Sequence, residues 1–414
     1  MQSKGIRVAF FGSFYPFVDR LSTTSTGLVS LFSMSEKIEK VIVFSPLLSA
    51  VPIGLDTKKV RMMPSWKYDS VISLLKTLYK MIRMKEDLDV YFFNILLTSF
   101  GHARRANTVG LLLPTFVAKL TGKKVCTYMH NFVETQDIEK LGYKKKWLVT
   151  KIVGLLERLI AGNTLLLVPL ESQRLALETL FHTEVHNVTI PYVEGISGFI
   201  CNPDGLHNSK KGDSGTLSFL LFGSWGPQKD LVGALSIFRD LITEGKNIEV
   251  VIAGKANPNF PSYDREIEKI IANFPINYVK WTKNVTEESV LELFSHFDVL
   301  FLPYNAAGGY SAVMNVGAFY GIRMVSYDVP ELREFDSIIS AGCVFVDPSD
   351  HDAVKKTLIR VAEEARFERS PTDQDLKAKL QKSLVAIEGL IGVMIDDEDS
   401  KIQRTDDSQL IHHR

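Results

Sequence analysis

The sequence predicts an α/β protein of two doubly wound, parallel-sheet domains that face one another across a cleft. Three observations predict it. Short runs rich in β-branched and aromatic residues alternate with longer segments of helical period, the pattern of a parallel sheet covered by helices on both faces. The alternation occurs twice, and between the rounds lies NPDGLHNSKKGDSG (202–215), polar and rich in turn formers. At 414 residues the chain is also long for one domain, given a prior of about 150 residues per domain.

In the first round the expected strands are Ile6 to Phe11, Val41 to Ser45, Asp89 to Phe93, Lys124 to Tyr128, Thr164 to Val168 and Val188 to Ile190. Helical segments such as Asp69 to Met84 and Lys144 to Ile160 separate them, while Met62-Met63 and the FFN run at 92–94 read as core. The second round has strands Leu217 to Phe222, Ile248 to Ala253, Tyr278 to Trp281, Asp298 to Leu302, Met324 to Tyr327 and Cys343 to Val346. Helices are expected at Lys229 to Ile242, Glu287 to Phe297 and Ser311 to Tyr320. The domains are therefore 1–201 and 217–365, joined by a linker at 202–216. Residues 366–414 add a helix and a polar tail, DDEDSKIQRTDDSQLIHHR, that reads as frayed. Doubly wound sheets place ligands at the carboxyl ends of their strands, here in the interdomain cleft.

Charge excludes one class of partner. The chain carries 48 basic and 48 acidic side chains, which leaves no net field to attract nucleic acid. Cys126, Cys201 and Cys343 lie far apart without a C-x-x-C pair, so free thiols in a reducing compartment are expected. MQSKGIRVAFFGSF runs straight into an apolar strand without the marks of a signal peptide, and no stretch reaches about 18 uninterrupted apolar residues. The expectation is a cytoplasmic protein, peripheral to a membrane at most.

Two windows carry chemistry. In DVLFLPYNAAGGYSAVMNVGAFYGIRMVSYDVPELRE (298–334) a buried strand stops at Pro303, Gly308 and Gly309 form a loop, and Ser311 starts an apolar helix closed by Gly321. Glycines let backbone approach a ligand, and the unpaired N–H groups of a helix's first turn attract an anion such as a diphosphate. The same pattern also describes an ordinary strand-to-helix connection with a serine cap. In LSFLLFGSWGPQKDLVGALSIF (217–238) a strand ends at Gly223, and Lys229 stands beside the next helix start after a glycine and proline turn. The spacing is not that of a P-loop. Lys229 reads either as a point charge for phosphate or as a solvated surface lysine.

These windows resemble the retaining glycosyltransferases of family 4, the "glycosyl transferases group 1" type, whose GT-B fold pairs two Rossmann-like domains. Gly223 and Lys229 match the family's Gly-Arg-x-x-x-x-Lys motif, with Ser224 at the arginine position. Asp298, Pro303, Tyr304, Gly309, Ser311, Gly321, Asp328, Pro330 and Glu334 are similar to its second motif. The likeness extends to Gly12, the Ser25-Thr26-Gly27 helix start, Asn94, TYMHNF (127–132) and VHNVTIPYVEG (185–195). The family's paired glutamates would fall on Gly308 and Val316 and are absent. Tyr304 with Ser311-Ala312 is similar to a divergent branch that lacks them.

The resemblance implies transfer of a sugar from a UDP- or GDP-type donor to a glycan or lipid-linked acceptor, with retention and without a metal or other cofactor. Gly12, Gly27, Gly223, Ser224, Lys229, Tyr304, Gly309, Ser311, Ala312 and Glu334 are then the implied donor-binding residues, and Lys229 and His130 the catalytic ones. His130 could hydrogen-bond the sugar or the leaving diphosphate, or only cap local backbone. D-x-D strings at Asp87 and Asp89, Asp350 and Asp352, Asp373 and Asp375, and Asp397 and Asp399 do not follow a strand into the cleft, and read as solvated turns.

The helix LGYKKKWLVTKIVGLLERLI (141–160) presents Lys144, Lys145, Lys146, Trp147, Lys151 and Arg158 beside an apolar face. It suits an anionic bilayer, although covering the sheet is the commoner role of such a helix. Two other readings compete with the transferase: a nucleotide-sugar epimerase on the same paired domains, and a catalytically silent partner subunit of the same fold.

Overall fold

A computed structural model of the chain describes residues 5–16, 20–97, 99–101, 103–132, 146–201, 215–257, 260, 262–307, 309–366 and 372–395. The first domain holds strands β1 (Ile6–Phe11), β2 (Ile38–Pro46), β3 (Val60–Trp66), β4 (Val90–Ile95), β5 (Lys124–Met129), β6 (Leu165–Val168) and β7 (Val185–Asn187). Its helices are α1 (Arg20–Met34), α2 (Val71–Arg83), α3 (Arg104–Thr121), α4 (Lys146–Ala161), α5 (Glu171–Phe181) and α6 (Val193–Cys201). The second domain holds β8 (Leu217–Phe222), β9 (Ile248–Ala253), β10 (Val279–Thr282), β11 (Val299–Leu302), β12 (Arg323–Tyr327) and β13 (Val344–Val346). With them come α7 (Leu231–Thr243), α8 (Tyr263–Ile271), α9 (Glu287–His296), α10 (Ala312–Tyr320), α11 (Pro330–Ile339), α12 (His351–Ala365) and α13 (Asp373–Ile395).

Both sheets are parallel and doubly wound, in the orders β3-β2-β1-β4-β5-β6-β7 and β10-β9-β8-β11-β12-β13. The chain reverses direction across each sheet between its first and fourth strands, so the switch points lie between β1 and β4 and between β8 and β11.

Successive side chains of a strand point to opposite faces, and three cores follow. Ala9 and Phe11 of β1 enter a core beneath α2 and α3, while Val8 and Phe10 enter a second. Phe219 and Leu221 of β8 belong to a third, under α7 and α12, and Leu220 returns to the second. The middle core is thus shared: the inner faces of both sheets and buried side chains of α6, α10 and α13 are continuous in it. The two domains face one another through apolar contact.

Four elements depart from the sequence expectation. β3 is an edge strand carrying Pro64, a residue that argues against a strand unless it sits at an edge. It splits Met62 and Met63 between the middle and outer cores of the first domain. β7 runs over Val185–Asn187 and not over Val188–Ile190. Its partner β6 ends at Val168, the Val188 N–H makes the last ladder bond to the Val168 carbonyl, and Pro169 has no N–H to continue. The helix after β8 begins at Leu231, because Asp230 caps it by accepting from the Gly233 N–H at 3.0 Å; Lys229 stays in the turn. Finally, Ser25-Thr26-Gly27 is not a helix start, since α1 begins at Arg20.

Residues 202–214 of the expected linker (202–216) and the tail at 396–414 lie outside the described residues, as do Gly308, Lys144, Lys145, Asp397 and Asp399. The segment before the tail does more than frame the second domain. Helix α13 buries Leu376, Ile387, Leu390, Ile391 and Met394. Ser383 donates to the Pro191 carbonyl at 2.6 Å, and Lys379 donates to the carbonyls of Ala318 and Phe319 at 2.8 Å each, at the end of α10. Lys124 in turn donates to the Val393 carbonyl at 2.9 Å, so α13 ties both domains together.

Candidate functional site

The predicted residues gather at the two switch points. In the second domain the loops after β8 and β11 lie side by side, joined where the Asn305 N–H donates to the Gln228 carbonyl at 3.0 Å. Lys229 Nζ stands 4.7 Å from the centre of the Tyr304 ring and 5.9 Å from that of Trp225, a cation held over two aromatic faces. A Cβ on Gly223 would lie 2.6 Å from Lys229 Nζ, so a glycine leaves room for the ammonium group. Ser224 is exposed, and Tyr304 is buried.

Ser311 caps α10: its hydroxyl oxygen accepts from the Met314 N–H at 3.2 Å, leaving the hydroxyl hydrogen as a donor. The N–H groups of Ala312 and Val313 have no acceptor within the helix. Gly321 closes the helix in the left-handed conformation, with φ of 71°. Val316, at one position of the family's glutamate pair, faces the middle core.

The first domain contributes a buried polar chain at the ends of β1, β4 and β5. His130 Nε2 lies 2.5 Å from Asn94 Oδ1, and Asn94 Nδ2 donates to Ser25 Oγ at 2.9 Å. A Cβ on Gly12 would lie 2.8 Å from that same Ser25 oxygen. His130 and Asn94 are both fully buried, and the imidazole packs against Tyr128 and Tyr310, with ring centres 4.6 and 5.7 Å away. His130 is therefore anchored through a side chain and is more than a local backbone cap.

The two sets meet. Gly309 has φ of 123°, and a Cβ there would lie 2.8 Å from the His130 carbonyl oxygen and 3.1 Å from Gln173 Nε2. Only glycine permits both that backbone and that approach. The two domains are consequently in direct contact at Gly309 and His130, while Ser224 in the neighbouring loop is exposed.

Two predicted residues serve other contacts. Gly27 lies inside α1, where a Cβ would stand 2.0 Å from the Val193 carbonyl: it permits α1 and α6 to cross closely and does not form a ligand loop. Glu334 reaches across the domains and accepts from the Ser172 N–H at 3.1 Å in the first turn of α5.

Three residues escaped the sequence reading. Glu194, 1% exposed, accepts from Thr24 Oγ1 (2.7 Å), Tyr310 OH (2.5 Å) and Asn315 Nδ2 (2.6 Å), joining α1, α6 and the start of α10. Tyr310 carries that anchor to His130. Gln173 is buried, and its Oε1 has no hydrogen-bond partner among the described residues. The one available signal was the run of serines and threonines in α1, polar side chains on a helix that packs against the sheet.

The acidic strings have local partners. Asp89 pairs with Arg7 at 3.0 Å, Asp350 caps α12, Asp352 pairs with Lys355 at 3.1 Å, and Asp375 accepts from Thr372. Among the described residues no group of three or more His, Cys, Asp or Glu side chains is placed to hold a metal. A cavity of about 600 Å³ lies at the first turns of α2 and α3, lined by Asp69, Ser70, Ile72 and Arg104 among others, and contains none of the predicted residues.

Comparison with known proteins identifies the fold. No protein-family model matches the sequence, and no curated protein matches it. Solved structures do match over nearly the whole chain. HepE of Anabaena, crystallised with UDP and glucose, is 11% identical with a TM-score of 0.62, covering 95% of this chain and 100% of its own. The lipopolysaccharide outer core galactosyltransferase WaaB is 12% identical with a TM-score of 0.55, covering 94% and 99%. A putative UDP-N-acetylglucosamine 2-epimerase from Listeria monocytogenes is 8% identical with a TM-score of 0.53, covering 94% and 95%. The chain has the GT-B fold, two facing Rossmann-like domains.

Proposed function

We propose that the protein is a glycosyltransferase that moves a sugar, with retention of configuration, from a UDP- or GDP-type nucleotide sugar to a glycan or lipid-linked acceptor. The observation that carries this reading is the convergence of the two switch points. The loop before α10 meets His130 of the opposite domain through Gly309 and Tyr310, and Lys229 lies over Tyr304 in the neighbouring loop. The structural likeness to HepE bound to UDP and glucose and to the galactosyltransferase WaaB supports a sugar nucleotide as donor.

The chemistry asks mainly for stabilisation of a departing diphosphate. Lys229 supplies a point charge, and the Ser311 hydroxyl with the N–H groups of Ala312 and Val313 supplies donors. The leaving phosphate then helps to deprotonate the acceptor on the same face of the sugar. His130, held by Asn94 and packed on Tyr310, backs the loop that leads into α10, and the unpartnered oxygen of Gln173 suits a sugar hydroxyl.

The test is to incubate the purified full chain with a panel of UDP- and GDP-sugars, with and without glycan and lipid-linked acceptors. Release of nucleoside diphosphate is followed, and the anomeric configuration of any product is read by NMR. Lys229→Ala is expected to lower kcat/KM by about 100-fold, and Ser311→Ala to lower it less. The epimerase likeness gives a second reading, which an isomerised donor sugar without transfer would establish. Absence of binding by every sugar nucleotide would instead identify a silent subunit, and full activity in both alanine variants would refute the site assignment.

A further inference from the structure

The start of α10, which the proposed chemistry uses to hold a diphosphate, is not placed by its own domain alone. Helix α6 of the first domain packs along α10. A Cβ on Gly195 would stand 2.2 Å from the Phe319 Cβ, and one on Gly198 would stand 2.7 Å from the Tyr320 hydroxyl. Two glycines therefore let α6 press directly on the last turn of α10. Tyr320 also donates to the Gly195 carbonyl at 3.1 Å. The far end of α10 is thus fixed against the first domain.

The near end is fixed by Glu194, the residue before Gly195. One carboxylate oxygen accepts from Tyr310 OH at 2.5 Å and from Thr24 Oγ1 at 2.7 Å, and the other accepts from Asn315 Nδ2 at 2.6 Å. Tyr310 immediately precedes the cap Ser311, and Asn315 lies one helical turn beyond it. The two oxygens therefore hold both sides of the turn that carries the Ser311 hydroxyl and the N–H groups of Ala312 and Val313. The Tyr310 ring is itself wedged between His130 and Phe335, with ring centres 5.7 and 4.9 Å away. Glu194, Tyr310 and Asn315 are 1%, 3% and 0% exposed, so none of them reaches a ligand. Any effect they have on binding passes through the turn.

A buried carboxylate is a costly way to join two domains, and beside a diphosphate site it also repels the ligand. What it supplies is direction. Donors converging on two oxygens rigidify the turn, where apolar packing would let it slide.

We infer that Glu194 is a positioning residue of the diphosphate site, a first-domain carboxylate that orients the second domain's phosphate-binding turn through Tyr310 and Asn315. This role rests on the reading of Lys229 and the α10 start as the donor site.

Titration of the full chain with UDP and GDP, and with uridine and guanosine by NMR, tests it. Tyr310→Phe removes one hydroxyl and keeps the ring, and Asn315→Ala removes one amide. Each should weaken nucleoside diphosphate binding about 10-fold and leave the nucleoside, which carries no phosphate, bound as in the wild type. Glu194→Ala should weaken the diphosphate further. The sign is diagnostic, because loss of charge alone would make that variant bind more tightly. Lys229→Ala serves as the reference, lowering diphosphate affinity without touching the Glu194 contacts. Wild-type diphosphate affinity in Tyr310→Phe and Asn315→Ala, with Lys229→Ala still impaired, would overturn the role of Glu194 and leave the donor site standing. Equal weakening of nucleoside and diphosphate would also overturn it, since the carboxylate would then only hold the domains together. Wild-type protein that binds neither UDP nor GDP would refute the donor site itself, and this role with it.

Discussion

Gly309 shows how one residue fixes the relation between the domains. Its φ of 123°, and the 2.8 Å that would separate a Cβ from the His130 carbonyl oxygen, leave no room for a side chain. Gly309→Ala is expected to destabilise the fold by roughly 1–3 kcal/mol, and a urea titration measures this. Tyr91 gives a second test at this scale. Burial raises its phenol to about 12, while the unfolded chain titrates near the ordinary value of 10.0. The folded chain keeps the proton where the unfolded chain has lost it, so this contribution is complete below pH 10.0 and is lost as pH rises toward about 12. The urea midpoint should fall over that interval. In Tyr91→Phe the fall should be shallower, although the variant starts lower because the hydrogen bond to the Met81 carbonyl (2.8 Å) is gone.

Among elements, the packing of α6 against α1 and α10 decides the site's shape. Glu194 is the centre of that contact, accepting from three donors on α1, on α10 and in the loop before it. Glu194→Ala would leave all three buried donors unmatched and should cost about 3 kcal/mol or more. Glu194→Gln should cost less, since its amide oxygen still accepts from Thr24 and Tyr310 and only the Asn315 contact becomes donor against donor. Thermal or urea unfolding of the pair separates these outcomes; equal losses would show that volume, and not hydrogen bonding, is what Glu194 supplies.

This scale also explains which parts of the site were legible. The local setting of Gly223, Lys229, Tyr304 and Ser311 was readable because strand, glycine turn and helix start follow one another within a short window. The roles of Gly27 and Glu334 were not, because each is set by a partner distant in sequence, Val193 and Ser172. Glu194 and Gln173 were invisible for the same reason: a carboxylate on an apolar helix and a glutamine on a polar one acquire meaning only from what faces them.

At the scale of the whole molecule, α13 acts as a clasp. It fills the shared middle core and contacts Pro191, Lys124 and the end of α10. Burial holds the Lys379 ammonium group below its usual range, as expected where a cation is withdrawn from water onto two carbonyls. Ending the chain after Thr372 would expose apolar surface on both domains, at about 1.5–3 kcal/mol for each large side chain lost. Such a chain should be insoluble, or cleaved between the domains by protease far faster than the full chain. Equal protease resistance would show that the shared core holds without α13.

The sequence by itself determined the class of fold, the six strands of the second round, five strands of the first and the two windows at the second domain's switch point. Those are local: side-chain period and turn chemistry are properties of neighbouring residues. Tertiary structure alone decided that the domains touch at Gly309, that His130 is held by Asn94 and that α13 spans both domains. Each of these depends on distances between segments far apart in the chain, which periodicity does not encode.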